Sequence, residues 1–139
     1  LALAAREADV VSLNLLKAPR PTDAALAERV GWVRDAAGPR ADAIELQLPL
    51  AAVIAFDGAP ADAIRSALAG GDRFLATLAS RLDVETLAAS PLVLAGSTEA
   101  MAERLAGLRT EHGIGAVMVP MSQMEALAAV IPHLAGARA

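Results

Sequence analysis

The chain has 139 residues, 55 % of them apolar, with a net charge of -4 and no cysteine. That is one small domain with enough apolar mass for a core, which excludes intrinsic disorder and a multi-domain machine. The acidic balance and only three aromatics (Trp32, Phe56, Phe74) argue against a nucleic-acid surface, and the missing thiols exclude disulfides, thiolate metal sites and cysteine nucleophiles. Eleven of the twelve basic residues are Arg, a bias of a high-GC genome that says little about function.

In chain order, Leu1–Ala8 (LALAAREA) reads as a helix with Leu1, Ala4, Ala5 and Ala8 on one face. No cap precedes it and the first residue is not Met, so we expect a chain truncated at its N-terminus. Val10–Leu16 (VVSLNLL) is short, β-branched and apolar, as a buried strand is. A polar loop with Pro19 and Pro21 follows, then a helix over about Asp23–Ala37. Thr22 or Asp23 caps that helix and Gly38 ends it, with Ala27, Val30, Val33 and Arg34 at helical spacing.

Ile44–Leu48 (IELQL) alternates as a two-faced strand, and Ala51–Phe56 is a second apolar run. Pro49 between them predicts a bulge or break. Asp57–Pro60 is a turn, and Pro60 opens a helix over Ala61–Ala69 that Gly70–Gly71 ends. Asp72 caps a further short helix to about Ser80, Asp83 opens a short turn, and Ser90–Pro91 stops it. Leu92–Ala95 is extended, Ser97 caps a helix over Thr98–Glu111, and Gly113 closes it. Ile114–Val119 is a buried strand. Ser122 and Glu125 have the spacing of a capping box for a last helix to about Leu134, which Pro132 should kink or shorten.

Alternating β and α units imply parallel strands with helices outside. A complete (βα)8 barrel takes about 250 residues, so three clear strands amount to roughly half of one; a small doubly wound sheet is the rival. The most apolar stretch, Ala41–Phe56, is too short to span a membrane and is interrupted by Asp42, Glu45, Gln47 and Pro49. No secretory leader is visible, and a cytoplasmic location is the default expectation.

No Rossmann glycine motif, P-loop or nucleophile elbow occurs. His112 and His133 are too isolated for a metal site, so none is expected; His112 suits a helix C-terminus and His133 a surface. Polar residues at strand ends are the better candidates, because barrel sites sit at the C-terminal ends of strands. Ser12 and Asn14 share one face of the first strand, with Asn14 near its C-terminal end. Its alternative role is to satisfy loop backbone groups. Glu45 and Gln47 share one face of the second strand. They are either polar groups inside a barrel, linked to a ligand, or a solvated edge. Gly96, Ser97 and Thr98 precede a helix N-terminus suited to a phosphate, or form an ordinary cap. Lys17, Arg20 and Arg40 are loop cations that could meet an anionic tail or stay solvated.

The run Ala4–Asn14 (AAREADVVSLN) resembles a segment of the luciferase-like monooxygenase superfamily, and more closely its actinobacterial F420-dependent oxidoreductases. Three further stretches agree in order and spacing. They are Gly31–Gly38 (GWVRDAAG) with Ala43–Leu48 (AIELQL), Ser90–Thr98 (SPLVLAGST), and Gly113–Pro120 (GIGAVMVP). The resemblance covers essentially the whole chain. It implies the C-terminal part of a (βα)8 TIM barrel, about strands six to eight with their outer helices, with Ala59–Ser90 as a helical insert. The whole chain, 1–139, would be one partial barrel domain.

The resemblance further implies coenzyme F420, or FMN as the alternative, bound at the C-terminal mouth, with hydride transfer to or from a small organic substrate. The cofactor carries that chemistry and the protein orients it. Asn14, Gly96, Ser97 and Thr98 become the expected cofactor contacts, and Ser12, Glu45 and Gln47 weaker ones for substrate or cofactor. Gln47 and Pro49 depart from the Asn and apolar residues usual at those places in the family. The catalytic residues would lie upstream, leaving the isolated chain without turnover. A non-catalytic half barrel that pairs with its own copy or with a missing N-terminal half is the reading of a different class.

Overall fold

A computed structural model describes residues 1–135. The chain is mixed α/β with two small parallel sheets. The first sheet has the order β1-β2-β5, built from β1 (Val10–Ser12), β2 (Glu45–Pro49) and β5 (Ile114–Met118). The second pairs β3 (Ala52–Ala55) with β4 (Val93–Gly96). The two extended runs expected around residues 51–56 and 92–95 are therefore strands of a sheet of their own.

β1 is shorter than the apolar run that encodes it, and Pro49 supplies the reason. The Asp9 carbonyl accepts from Glu45 N–H (2.8 Å) and Leu13 N–H donates to the Gln47 carbonyl (2.7 Å). Glu45, Gln47 and Pro49 thus turn their backbones toward β1, and Pro49 has no N–H to give the Leu13 carbonyl. The ladder stops there and the chain turns away. Pro49 is the last residue of β2, and the expected break follows it at Leu50–Ala51. Leu50 N–H still reaches the Met118 carbonyl (2.8 Å), whereas Ala51 N–H reaches Leu92 (2.7 Å), so the chain changes sheets within one residue.

The first sheet has two unlike faces. Val11, Leu13, Leu15, Leu46, Leu48 and Ile114 are buried beneath α2 (Asp23–Ala37) and α6 (Thr98–His112). α2 contributes Leu26, Val30, Val33 and Ala37, and α6 contributes Met101, Ala102 and Leu108. Each buried leucine is worth about 1.5–3 kcal/mol, which makes this covered face the main driving force. Ala27 and Arg34, expected on the inner face of α2, are exposed, and Leu26 and Ala37 take their place. The opposite face carries Val10, Ser12, Glu45 and Met118 in the open and Gln47 half-buried.

α1 (Ala2–Glu7) buries Ala5 against α2. Arg40, in a 3-10 turn over Gly38–Ala43, clamps its C-terminal end. The guanidinium donates to the carbonyls of Ala5 and Ala8 (both 2.9 Å) and pairs with Asp9 (3.1 Å). Arg40 therefore holds α1 and is not placed to meet an anionic tail.

Between β3 and β4 lie α3 (Pro60–Ala69), α4 (Arg73–Ala79), which Asp72 caps as expected, and α5 (Val84–Ala89), a helix capped by Asp83 where a short turn was expected. Two contacts tie this insert to the loop after β1. The buried Ser90 hydroxyl donates to the Pro21 carbonyl (2.6 Å) and accepts from Leu92 N–H, and Arg81 donates to the Leu16 carbonyl (3.1 Å).

The last helix departs from expectation. Ser122 lies in a 3-10 turn (Met121–Gln123) and caps nothing. Gln123 precedes α7 (Met124–Ala128) and spends its side-chain oxygen on Val53 N–H (2.5 Å). Pro132 is the second residue of α8 (Ile131–Ala135), so the expected single helix is broken in two ahead of it.

Replacing Arg40 removes two charge-assisted bonds to the carbonyls of Ala5 and Ala8 and an ion pair with the exposed Asp9. Arg40→Ala should lower unfolding stability by about 1–3 kcal/mol, and Arg40→Lys should restore little of it, because an ammonium cannot reproduce the fork. Urea unfolding of the three proteins reads both effects.

Candidate functional site

The expected residues fall into two groups. In the first, the register sets Val10 beside Glu45 and Ser12 beside Gln47, and Gln47 in turn beside Ala116 of β5. Neighbours in register point to the same face, so Ser12, Glu45 and Gln47 form one polar patch on the uncovered side of the sheet. A close approach shapes the patch: a Cβ on Gly115 would lie 3.2 Å from Glu45 Cγ, so the glycine makes room for the glutamate stem. Met118 closes the upper end of this face, and its half-exposed side chain had no signal in the sequence beyond alternation.

Asn14 stands just past the C-terminal end of β1. Its Oδ1 accepts from Leu16 N–H (2.9 Å), an Asx turn. The loop-satisfying role weighed for Asn14 is thus real. It uses only the oxygen and leaves the exposed amide Nδ2 as a donor at the strand end.

The second group is Gly96, Ser97 and Thr98 at the start of α6. Gly96 ends β4 with φ 126°, a conformation that favours glycine. Ser97 caps the helix through Ala100 N–H (3.2 Å). The Thr98 hydroxyl donates to Glu99 Oε2 (3.1 Å). Glu99's own backbone N–H, then this hydroxyl, hold its carboxyl below the ordinary glutamate range, and His133 adds to the effect. The first turn of α6 therefore already holds an anion of its own, in the position a phosphate would take. Among the described residues no hydrogen bond joins this turn to the Ser12–Gln47 patch.

The other candidates resolve plainly. Lys17 and Arg20 are exposed; the Asp83 carboxyl is held below its ordinary range by the Thr86 backbone N–H and then the Thr86 hydroxyl, with only a minor contribution from Arg20. His112 ends α6 as expected but is buried, with Nε2 unpartnered. His133 is exposed, 3.9 Å from Glu99. The described residues hold no group of three His, Cys, Asp or Glu that could bind a metal ion. They hold no helix long and apolar enough to cross a membrane. A concavity of about 930 Å³ lies along β5 beside α6, and none of Ser12, Asn14, Glu45, Gln47 or Gly96–Thr98 lines it. No family model and no curated protein matches the chain.

Glu99 yields a pH prediction. Its folded pKa lies below its unfolded one, so its contribution is complete above the ordinary glutamate range and is lost as pH falls through the folded value. Glu99→Gln should flatten the acid limb of the stability curve between those two values. The same variant removes the negative charge from the helix start, and its melting temperature should rise more on adding inorganic phosphate than that of the unmodified chain.

Proposed function

We propose that the chain is the C-terminal part of a (βα)8 barrel oxidoreductase of the luciferase-like kind, which uses coenzyme F420 to transfer a hydride to or from a small organic substrate. The observation that carries this reading is the uncovered polar face of a parallel sheet. Parallel sheets are otherwise covered on both faces, and inward-facing polar side chains at strand ends are the mark of a barrel site. Ser12, Gln47 and the free amide of Asn14 supply neutral donors and acceptors, suited to the polar edge of a deazaflavin ring. The order β1-β2-β5 matches consecutive barrel strands, with the residues between β3 and β4 as an insert above them.

The residues fit the cofactor in part. Ser12, Gln47 and Asn14 suit the ring by their neutral donors and acceptors on the open face. The turn Gly96–Thr98 fits a phosphate only if the Glu99 carboxylate swings out of the first helical turn. The cofactor supplies the hydride chemistry; Ser12, Asn14 and Gln47 orient it, and Glu45 lies lower on the same face. The reading carries a cytoplasmic location and leaves the nucleophile and acid–base groups to other strands of the barrel.

The test is to extend the reading frame upstream of Leu1, express the longest product, and titrate it with F420 and with FMN by fluorescence. Binding of F420, weakened about three- to tenfold by Asn14→Ala as loss of one hydrogen bond requires, supports the reading. FMN binding in its place moves the enzyme to the monooxygenase branch. A stop codon directly upstream, or a full barrel that binds neither, overturns it.

A further inference from the structure

Two edges of the first sheet are open, and they are complementary. β1 and β5 are its outer strands, run in the same direction and have β2 as their one neighbour among the described residues. On β5 the Met118 carbonyl faces inward to Leu50 N–H, so the peptide groups of Val117 face outward. On β1 the Asp9 carbonyl and Leu13 N–H face β2, so those of Val10 and Ser12 face outward. The 930 Å³ concavity is lined by four consecutive residues of β5, Ile114–Val117. Side chains alternate along a strand, so four in a row can meet one cavity only along its edge. Five residues give about 16 Å of edge, enough for the three of β1 and their flanks.

The helical layer matches the strand layer. Leu105, Ala106 and Leu134 wall the groove beside β5. On the other side of the sheet, α1 exposes Leu1 and Leu3 next to β1. Charge agrees as well. Arg109 lines the groove one turn before β5 begins. Asp9, with its side chain 93 % exposed, immediately precedes β1. Parallel alignment of a β1 edge on a β5 edge brings this acid to that base.

We propose that a second copy of this chain occupies the β5 groove, its β1 adding in parallel to β5 and its α1 packing on α6 and α8. The joined sheet keeps helices on one face and sets the Ser12–Gln47 patches of the two copies side by side on the other. The pairing rests on strand edges, groove and charge and concerns the 139-residue chain by itself, since the further strands of a whole barrel would take the same two edges. If the rotation between copies closes, both edge pairs form in one two-fold ring.

The test uses the 139-residue chain. Sedimentation equilibrium should show concentration-dependent self-association, weakened by salt. Arg109→Glu and Leu3→Glu, both at exposed positions, should each weaken it about tenfold or more with unchanged circular dichroism. Because the chain has no cysteine, copies carrying Ser12→Cys and copies carrying Ala116→Cys can be mixed with a short thiol cross-linker. Cross-linked dimer in the mixture and in neither protein alone supports the β1-to-β5 pairing. A strict monomer, association indifferent to both charge variants, or cross-linking of either variant with itself overturns it.

Discussion

The fold hangs on β2. It is the one strand of the first sheet whose backbone is satisfied on both sides, by β1, which ends at Ser12, and by β5, which begins only at Ile114. Every helix of the covered face is held over this three-strand unit. The second sheet is reached by continuing β2 past Pro49, so its place follows from the same strand. Non-local parallel pairing of this kind carries a loop-closure cost before it returns anything. The leucine-rich face under α2 and α6 is what offsets that cost.

The two faces divide the work. One is apolar and fixes register, since a slip by one residue would turn Leu46 and Leu48 outward and Glu45 and Gln47 into the core. The other is free to carry polar groups because it contributes little to that packing. The insert reinforces the division. Ser90 and Arg81 bond carbonyls of the loop after β1, which steadies the segment that begins at Asn14. Chemistry placed at the end of β1 therefore rests on backbone anchors from two distant parts of the chain.

Local structure was largely legible in the sequence. Thr22, Asp72 and Ser97 each cap the helix they precede, and Pro60 opens α3, because these effects depend on neighbours within four residues. The alternation of Ile44–Leu48 correctly put Glu45 and Gln47 on one side. What stayed hidden were distant partners. Ser122 and Glu125 had capping spacing, yet Gln123 is held by Val53, 70 residues away, and the turn tightens to 3-10. Arg40 looked like a loop cation until α1 supplied two carbonyls for it. The candidate residues divide in the same manner: the Ser12–Gln47 juxtaposition follows from strand register, whereas the Glu99 carboxylate beside the start of α6 does not follow from the Gly96–Thr98 string.

Pro49 has a consequence for how the end of β1 is held. Its missing N–H removes the rung that would follow Leu13 N–H, so the ladder between β2 and β1 ends there. Beyond that point no neighbouring strand supports the backbone. Leu15 keeps its place by burial, and Asn14, Arg81 and Ser90 hold the turns around it through single hydrogen bonds. One imino acid thereby marks where a repeating ladder hands over to individual side-chain anchors, each of which a single substitution can remove.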